Sequence, residues 1–394
     1  MKIFFDARLM FYAGVGRYQR EILSELFKID NELFVYILGD KIKILEYIKE
    51  FNLNAANFYI INSTIKKYTF KEQLLLIKIF KSFRSNVDVF FLPHFNIPFL
   101  YLPPKSIVVV HDLTFFHFPN YFGRIRTFLA KIVLKNVLRK ANVVITISNY
   151  VKNDIINMFG TKTNNKLNSN ILENKIKTVY LGYSKKFKPQ TQEDIINFKN
   201  EKGLTNFFLY CGNRKKHKNI IRLIEAFKNA KQELADKEDL KLILIGKRFS
   251  KDKKPDFIDH FLTKSNIKDV LSIEWVSDRD LNLYYAASNA FVFVSLSEGF
   301  GLAPIEALAA GAPVLILANN SSLPEIFKDA ALYVNPYDIK EISNAIKKTM
   351  FLRSPNTNNT DEVDLALKQK NEILNYFSYE KCAKEIYNVM MQIK

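Results

Sequence analysis

Short apolar runs alternate along this chain with longer segments whose apolar residues recur every three or four positions. The short runs, rich in Val, Ile and Phe, predict buried strands, and the longer segments predict amphipathic helices. This alternation is typical of parallel α/β sheets, in which a helix connects successive strands. The predicted strands are Ile3–Asp6, Leu33–Leu38, Val87–Leu92, Ile107–Val110, Val143–Ser148, Phe207–Tyr210, Leu240–Ile245, Ile273–Val276, Ala290–Val294 and Pro313–Leu317.

The helical pattern is clearest in six segments. Two of them, Tyr68–Phe83 and Arg124–Lys140, are basic as well as amphipathic. In the second of these, Lys131, Lys135 and Arg139 recur along one face, and the apolar side is formed by Phe128, Leu129, Ile132 and Val133. Polar loops are predicted at Thr161–Asn174 and Ser354–Thr360. The predicted helices are Tyr18–Phe27, Tyr68–Phe83, Arg124–Lys140, Ile220–Lys228, Pro304–Ala310 and Phe377–Ile393.

Length and composition add a domain count and a charge asymmetry. A chain of 394 residues with 48% hydrophobic content exceeds one usual core, so two domains are expected. No apolar run is long enough for a membrane span or a signal peptide, and two isolated cysteines suggest a reducing, cytoplasmic compartment. The net charge is +18, of which +16 falls in residues 1–188. Nucleic acid, an anionic membrane surface or an anionic acceptor could each explain that excess.

The most informative stretch is the strand–loop–helix–strand unit from Phe291 to Asn319. Its loop, Ser297–Gly301, follows a strand and precedes a helix, where backbone N–H groups favour a phosphate. Two carboxylates, Glu298 and Glu306, bracket the loop and can accept hydrogen bonds from sugar hydroxyls. A phosphate site beside a polyol site predicts a sugar nucleotide as ligand.

The run SEGFGLAPIEALAAGAPVLI, with its glutamates eight apart, resembles the E-x7-E motif of retaining glycosyltransferases of the GT-B fold, and more fully family 4. The resemblance implies an α/β GT-B architecture: two Rossmann-like domains facing a cleft, with the last helix crossing back to the first domain. The domains expected are residues 1–188 plus 378–394, for the acceptor, and 189–377, for the nucleotide sugar. The family reaction moves a sugar from a nucleoside diphosphate to an acceptor with retained anomeric configuration.

The same resemblance implies roles in the donor site. Glu298 is expected to contact the reacting sugar and Glu306 the ribose, with further donor contacts from Phe300, Gly301 and Leu302.

A basic loop, Cys211-Gly-Asn-Arg-Lys-Lys-His-Lys-Asn219, lies between a strand and a helix, a strong position for neutralising a diphosphate. It resembles the family's G-x-x-x-x-R-K-N loop, so Lys218 is expected to stabilise the leaving phosphate. His217 stands where the family has Arg, and Arg214 is a candidate replacement for that guanidinium.

The N-terminal half offers three further candidates. Gly14 and Gly16, in the loop Ala7–Arg17, allow close backbone approach to a phosphate. His111, in His-Asp-Leu after a strand, resembles the family's cleft histidine, which contacts the donor sugar. For His94, also after a strand, a structural role is favoured. The D-A-R…G-V-G-R-Y pattern resembles the mannosyltransferase-like branch.

No metal site or cofactor is expected. Asp278-Arg-Asp280 superficially resembles the D-x-D metal motif of other transferases, but Ser277 or Asp278 fits a helix N-cap and Asp280 its first turn. No other His, Cys and Asp cluster has metal-ligand spacing.

The resemblance favours GDP-mannose as donor and a glycan or lipid-linked acceptor in surface polysaccharide synthesis. A second possibility is a GT-B-like sugar-nucleotide epimerase. Nucleic-acid binding, suggested by charge alone, has no supporting motif, so no nucleic-acid partner is expected. The basic helices predict possible peripheral contact with an anionic membrane, at the inner face of the cytoplasmic membrane.

Overall fold

A computed structural model describes residues 1–63, 65, 69–161, 167–234, 239–248, 254–352 and 369–394. The chain divides into two compact units: unit 1, Met1–Gly182 with Phe377–Lys394, and unit 2, Tyr183–Tyr376. The sequence prediction drew its first boundary after residue 188. The predicted loop Ser354–Thr360 and part of Thr161–Asn174 lie outside the described residues.

Unit 1 contains a seven-stranded parallel sheet in the order β3-β2-β1-β4-β5-β6-β9, and a short pair, β7 and β8. Its central strands are buried along their whole length, as expected for a parallel sheet covered on both faces. The strands are β1 (Lys2–Asp6), β2 (Phe34–Gly39), β3 (Phe58–Asn62), β4 (Val89–Leu92), β5 (Ser106–Val110), β6 (Val143–Thr146), β7 (Gly160–Thr161), β8 (Leu167–Asn168) and β9 (Ile176–Thr178).

The helices of unit 1 fall on two faces of this sheet. The connections that contain α1 and α2 each lead to a strand nearer the β3 edge of the sheet, whereas those that contain α3, α6 and α7 each lead to a strand nearer the β9 edge. Because such crossovers are right-handed, α1 and α2 cover one face and α3, α6 and α7 the other. The helices are α1 (Ala13–Ile29), α2 (Lys41–Glu50), α3 (Phe70–Ser82), α4 (Thr114–His117), α5 (Pro119–Phe122), α6 (Arg124–Lys140), α7 (Asn149–Phe159) and α8 (Ser169–Lys175).

Unit 2 contains a six-stranded parallel sheet in the order β12-β11-β10-β13-β14-β15. Its strands are β10 (Asn206–Cys211), β11 (Leu240–Ile245), β12 (Val270–Ile273), β13 (Ala290–Phe293), β14 (Leu315–Ala318) and β15 (Leu332–Val334). Its helices are α9 (Gln192–Lys202), α10 (Ile220–Glu233), α11 (Phe257–Lys264), α12 (Asp278–Ala287), α13 (Leu302–Ala309), α14 (Leu323–Phe327), α15 (Ile339–Leu352) and, within the described residues, 369–376 (α16).

The last helix, α17 (Tyr379–Ile393), belongs to unit 1, although unit 2 precedes it. It packs on α1 through a buried stripe. That stripe recurs every three or four residues, as an amphipathic helix requires, and comprises Cys382, Ala383, Ile386, Val389 and Met390.

Each sheet has one point where the direction of strand addition reverses. In unit 1 the reversal lies between β1 and β4, and in unit 2 between β10 and β13. At such a point the two following loops diverge and leave a crevice beyond the carboxyl ends of the strands, where ligands of open α/β sheets bind. The loops beside these two crevices carry the candidate residues.

Four local predictions were wrong. The described part of the predicted loop Thr161–Asn174 contains β8 and most of α8. The strand predicted at Ile273–Val276 is β12, Val270–Ile273, and Trp275 beyond it is exposed. Helix α1 begins at Ala13, so Gly14 and Gly16 belong to its first turns rather than to a loop. Helix α13 begins at Leu302, two residues before Pro304.

Candidate active site

The loop after β13 is held in place by polar contacts from its neighbours. Ser322 Oγ donates a hydrogen bond to the carbonyl oxygen of Glu298 at 3.1 Å, and Asn320 Nδ2 donates to that of Leu296 at 3.0 Å. On the other side, the backbone N–H of Leu296 donates to the carbonyl of His217 at 2.8 Å. The loop that carries Glu298 is therefore fixed against both the basic loop and the segment after β14.

Asn219 fixes the basic loop against the same region. Its backbone is left-handed, with φ of 61°, a conformation that Asn tolerates better than most residues. Its Nδ2 donates to the carbonyl oxygens of Val294 at 3.0 Å and Pro336 at 2.6 Å. Asn219 matches the asparagine of the family motif, but the sequence analysis assigned it no role. The structure shows that the Asn219 side chain joins the segments after β10, β13 and β15.

These contacts bring Lys218 and Glu298 together at the crevice between β10 and β13. Lys218 Nζ lies 2.5 Å from Glu298 Oε1 and 5.2 Å from the centre of the Phe293 ring. Each of the two charged side chains is 12% exposed, so the pair is largely shielded yet open on one side. A cation and a carboxylate at one crevice match a ligand that presents both an anionic group and hydroxyl groups.

The turn into α13 requires glycine. Gly301 has φ of +101°, and a Cβ there would come within 2.7 Å of Leu323 Cδ2. Phe300 before it is buried and Leu302 after it is half-buried. Glu306 lies one turn further along α13, with only 5% of its surface exposed. The predicted donor residues therefore share one loop and one helix, and their contacts with a donor stay predictions.

Arg214 is held in a cluster of acidic and hydroxyl groups. Its guanidinium donates to Asp259 Oδ1 at 3.0 Å and to Ser272 Oγ, with Asp256 at 3.6 Å, and the side chain is 1% exposed. Asp256 and Asp259 form the capping box of α11, so Arg214 ties the basic loop to that helix. This geometry favours a structural role for Arg214 over the predicted contact with a diphosphate.

His217 does not supply the missing positive charge either. It is buried, and burial together with the charges of Lys218 and Lys215 lowers its pKa to about 3. The imidazole is therefore neutral near pH 7. Lys218 is the cation of the basic loop that this structure pairs directly with the E-x7-E segment.

In unit 1, the two candidate glycines differ. Gly14 is exposed at the start of α1, beyond the carboxyl end of β1, where a helix N-terminus favours an anion. Gly16 is buried, and a Cβ there would lie 2.4 Å from the carbonyl oxygen of Met10. Packing alone thus requires glycine at 16, whereas the predicted phosphate contact of both residues stays a prediction.

His111 follows β5 at the same end of the unit 1 sheet. Its Nε2 lies 2.8 Å from the carbonyl oxygen of Pro93, so Nε2 carries the proton of the neutral ring, and the ring packs edge-on against Tyr18. Burial lowers the pKa of His111 to about 4 despite that hydrogen bond. A neutral, oriented imidazole suits hydrogen bonding better than charge compensation, and its predicted contact with the donor sugar stays a prediction.

A buried charged cluster that the sequence analysis did not predict lies at the crevice between β1 and β4. Arg8 donates to both carboxylate oxygens of Asp6 and to Glu72, and His94 Nε2 lies 3.3 Å from Asp6 Oδ2. Burial raises the pKa of Asp6, but the charges of Arg8 and His94 outweigh it and hold that pKa well below its usual range. Through these contacts of Asp6 and Arg8, the Asp-Ala-Arg motif joins the loops after β1 and β4 to α3.

Asp278-Arg-Asp280 forms the N-terminus of α12. Ser277 Oγ accepts a hydrogen bond from the Asp280 N–H at 3.0 Å, which is N-cap geometry. Across the described ranges, no group of three or more His, Cys, Asp or Glu side chains has metal-binding geometry. Nor is any helix there long and apolar enough to span a bilayer.

Two family models match the chain: Glycosyltransferase Family 4 over residues 12–166 and Glycosyl transferases group 1 over residues 191–362. O-antigen chain mannosyltransferase B of Escherichia coli is 26% identical over 98% of this chain and 99% of its own length. O-antigen chain mannosyltransferase RfbU of Salmonella typhimurium is 30% identical over 64% of this chain and 62% of its own length. These relatives do not favour a sugar-nucleotide epimerase.

Solved structures share the fold. HepE of Anabaena, crystallised with UDP and glucose, superposes with a TM-score of 0.74 at 16% identity, covering all of both chains. Sucrose-phosphate synthase of Thermosynechococcus elongatus gives a TM-score of 0.74 at 17% identity, over 100% of this chain and 98% of its own. The two parallel sheets thus adopt the GT-B architecture, as the sequence predicted.

Proposed function

Because this chain belongs to glycosyltransferase family 4, we propose that it transfers mannose from GDP-mannose to a glycan or lipid-linked acceptor in the assembly of a surface polysaccharide. The main structural support for this assignment is the Lys218–Glu298 pair at the crevice between β10 and β13. Mannose is supported by the curated relatives that are mannosyltransferases, and the class of acceptor by their O-antigen chain names.

In the proposed reaction, the bond from the sugar's anomeric carbon to the diphosphate breaks and a bond to an acceptor hydroxyl forms on the same face. The acceptor proton passes to the departing phosphate. Lys218 stabilises the charge that grows on the leaving group, as preorganised cations do. Glu298 binds sugar hydroxyls and supports the positive charge of the oxocarbenium-like transition state, and Glu306 binds the ribose. No metal or other cofactor takes part in this scheme.

The test is a donor panel of GDP-mannose with other GDP-, UDP- and ADP-sugars, read by thermal shift and by donor hydrolysis. GDP-mannose is expected to give the largest shift and the fastest hydrolysis. An added lipid-linked oligosaccharide should yield a product with a new mannosidic bond of retained configuration. Preference for a UDP-sugar would overturn the donor assignment, and epimerised sugar nucleotide without a new linkage would overturn the transferase.

We also propose that the protein works on the cytoplasmic side of the membrane and that unit 1 contacts anionic lipid. The support is the charge of +16 in residues 1–188 and the isolated positions of the two cysteines, Cys211 and Cys382, in the sequence. Such attraction is screened by salt, because each basic side chain near an anionic surface contributes about 1 kcal/mol at low ionic strength.

A further inference from the structure

Helix α6 is apolar on two opposite faces. Its inner face packs on the sheet through Leu134, Val137 and Leu138. The side chains that the sequence prediction took as the packed apolar side are instead largely exposed. Their exposed fractions are 64% for Phe128, 55% for Leu129 and 42% for Ile132, and Ile125, one turn earlier, is exposed by 78%.

This outer face continues onto α3 through the chain between them. Gln73 Oε1 accepts a hydrogen bond from the Phe99 N–H at 3.0 Å, and Asn136 Nδ2 donates to the Phe99 carbonyl at 2.6 Å. Leu100, next along, is exposed, as are Phe70 and Leu74 on α3. We call the α3–α6 face the surface made by Phe70, Leu74, Leu100, Ile125, Phe128, Leu129 and Ile132. Exposed large side chains grouped in this way mark an interaction surface.

The charge around the α3–α6 face has one sign. Between residues 89 and 153 the sequence contains eight Lys or Arg and a single carboxylate, Asp112. Helix α6 itself has no acidic residue, and its exposed basic side chains flank the apolar row on both sides. Exposed bases on α6 and α3 are Arg124, Arg126, Lys131, Arg139, Lys140, Lys71, Lys78 and Lys81.

We propose that the α3–α6 face docks on an anionic lipid bilayer and that Ile125, Phe128, Leu129 and Ile132 enter the boundary between headgroups and acyl chains. This rests on the proposed membrane contact and deepens it, since charge alone requires no inserted side chain. An apolar stripe flanked by Lys and Arg is the arrangement of helices that lie in a membrane interface, and the flanking bases complement anionic headgroups. A nucleic-acid surface would complement the charge but not the isoleucine and leucine side chains of the apolar row.

Vesicle sedimentation with phosphatidylethanolamine–phosphatidylglycerol liposomes tests the proposal. The variant Ile125→Ser/Phe128→Ser/Ile132→Ser changes only exposed side chains, so its unfolding temperature and donor hydrolysis should match wild type. Its partition coefficient should fall by about 100-fold or more, because each apolar side chain withdrawn from the membrane costs roughly tenfold. Wild type should retain measurable binding at about 0.5 M salt, where screening suppresses the electrostatic part.

Helix α2 provides a matched control on the other face of the unit 1 sheet. Ile42 and Leu45 are exposed there beside Lys41 and Lys43, so this helix also offers apolar and basic side chains. The variant Ile42→Ser/Leu45→Ser should bind vesicles as wild type does. An equal loss in this control would overturn the assignment to the α3–α6 face.

A fluorescence probe gives an independent readout. In a Trp275→Phe background, which removes the one native tryptophan, Phe128→Trp should shift to the blue on adding anionic vesicles and be quenched by brominated acyl chains. Ile42→Trp in the same background should do neither.

Each negative result has a separate meaning. If wild type binds no vesicle, the proposed membrane contact fails, and insertion fails with it. If wild type binds at low salt, is fully released by salt, and the triple serine variant binds equally well, insertion is wrong while electrostatic contact stands. Equal binding to neutral phosphatidylcholine would overturn the role of the flanking bases, and preference for RNA over vesicles would overturn the lipid assignment.

Discussion

Replacing Glu298 with Gln should separate binding of the nucleoside diphosphate from catalysis by moving them in opposite directions. Glu298 holds Lys218 in a largely shielded pair, with 2.5 Å between Nζ and Oε1. A nucleoside diphosphate that recruits Lys218 must therefore compete with this carboxylate. The amide keeps the shape of the side chain but removes both the competition for Lys218 and a negative charge close to the phosphates.

The size of the effect follows from the pair. A charge-assisted hydrogen bond contributes about 1.5–3 kcal/mol. If the diphosphate recovers about half of that in Glu298→Gln, its binding improves by about 0.8–1.5 kcal/mol, or roughly three- to tenfold in Kd. Transfer should nevertheless slow by about 10²–10³ in kcat, because the variant loses the carboxylate that supports the developing positive charge.

Isothermal titration with the nucleoside diphosphate and steady-state transfer kinetics measure the two effects on the same preparations. Asp278→Asn is the matched control, since it removes a carboxylate of unit 2 at the N-terminus of α12, paired with Lys186. It should change neither quantity. Unchanged or weaker diphosphate binding in Glu298→Gln would refute competition for Lys218, and undiminished kcat would refute the catalytic assignment.

The remaining predictions concern the donor site and one buried histidine, His111. Lys218→Ala should lower kcat by about 10²–10³ and weaken diphosphate binding. Wild-type turnover in this variant would contradict the assignment of Lys218 to the leaving phosphate. Glu306→Gln should chiefly raise the donor KM, measured at saturating acceptor, and a change confined to kcat would contradict its assignment to the ribose. Transfer should survive EDTA, whereas complete loss restored by Mg²⁺ or Mn²⁺ would contradict charge neutralisation by Lys218 and helix termini. The pKa of His111 is about 4 in the folded protein and near 6.5 in the unfolded chain, so the unfolded chain binds more protons between these pH values and the free energy of unfolding should fall as pH drops from 6.5 to 4. In thermal melts, His111→Asn should lose the part of this pH dependence that His111 contributes, which is at most about 3 kcal/mol. An unchanged pH profile would show that His111 does not contribute.

Sequence alone determined the family, the alternation of strands and helices, and the position of the E-x7-E loop after a strand. These are local properties: a β-branched run followed by glycines and a capped helix specifies strand, turn and helix within a few residues. For the same reason the limits of Arg124–Lys140 were predicted correctly, and Ser277 is the N-cap of the two candidates, Ser277 and Asp278, that the sequence offered. The role of Gly301 also depends on a close contact with Leu323, which lies on a later helix.

The partners of charged groups were decided only by tertiary structure. Arg214 and Lys218 lie four residues apart in one basic loop, yet the first is buried among the carboxylates of α11 and the second faces Glu298 across the sheet's reversal point. Nothing local distinguishes them, because their partners come from segments 42 to 80 residues away that meet through strand order. The same holds for α6: the sequence prediction took Phe128 as part of the packed apolar side, and only the tertiary structure determines that Leu134 is covered while Phe128 is left exposed.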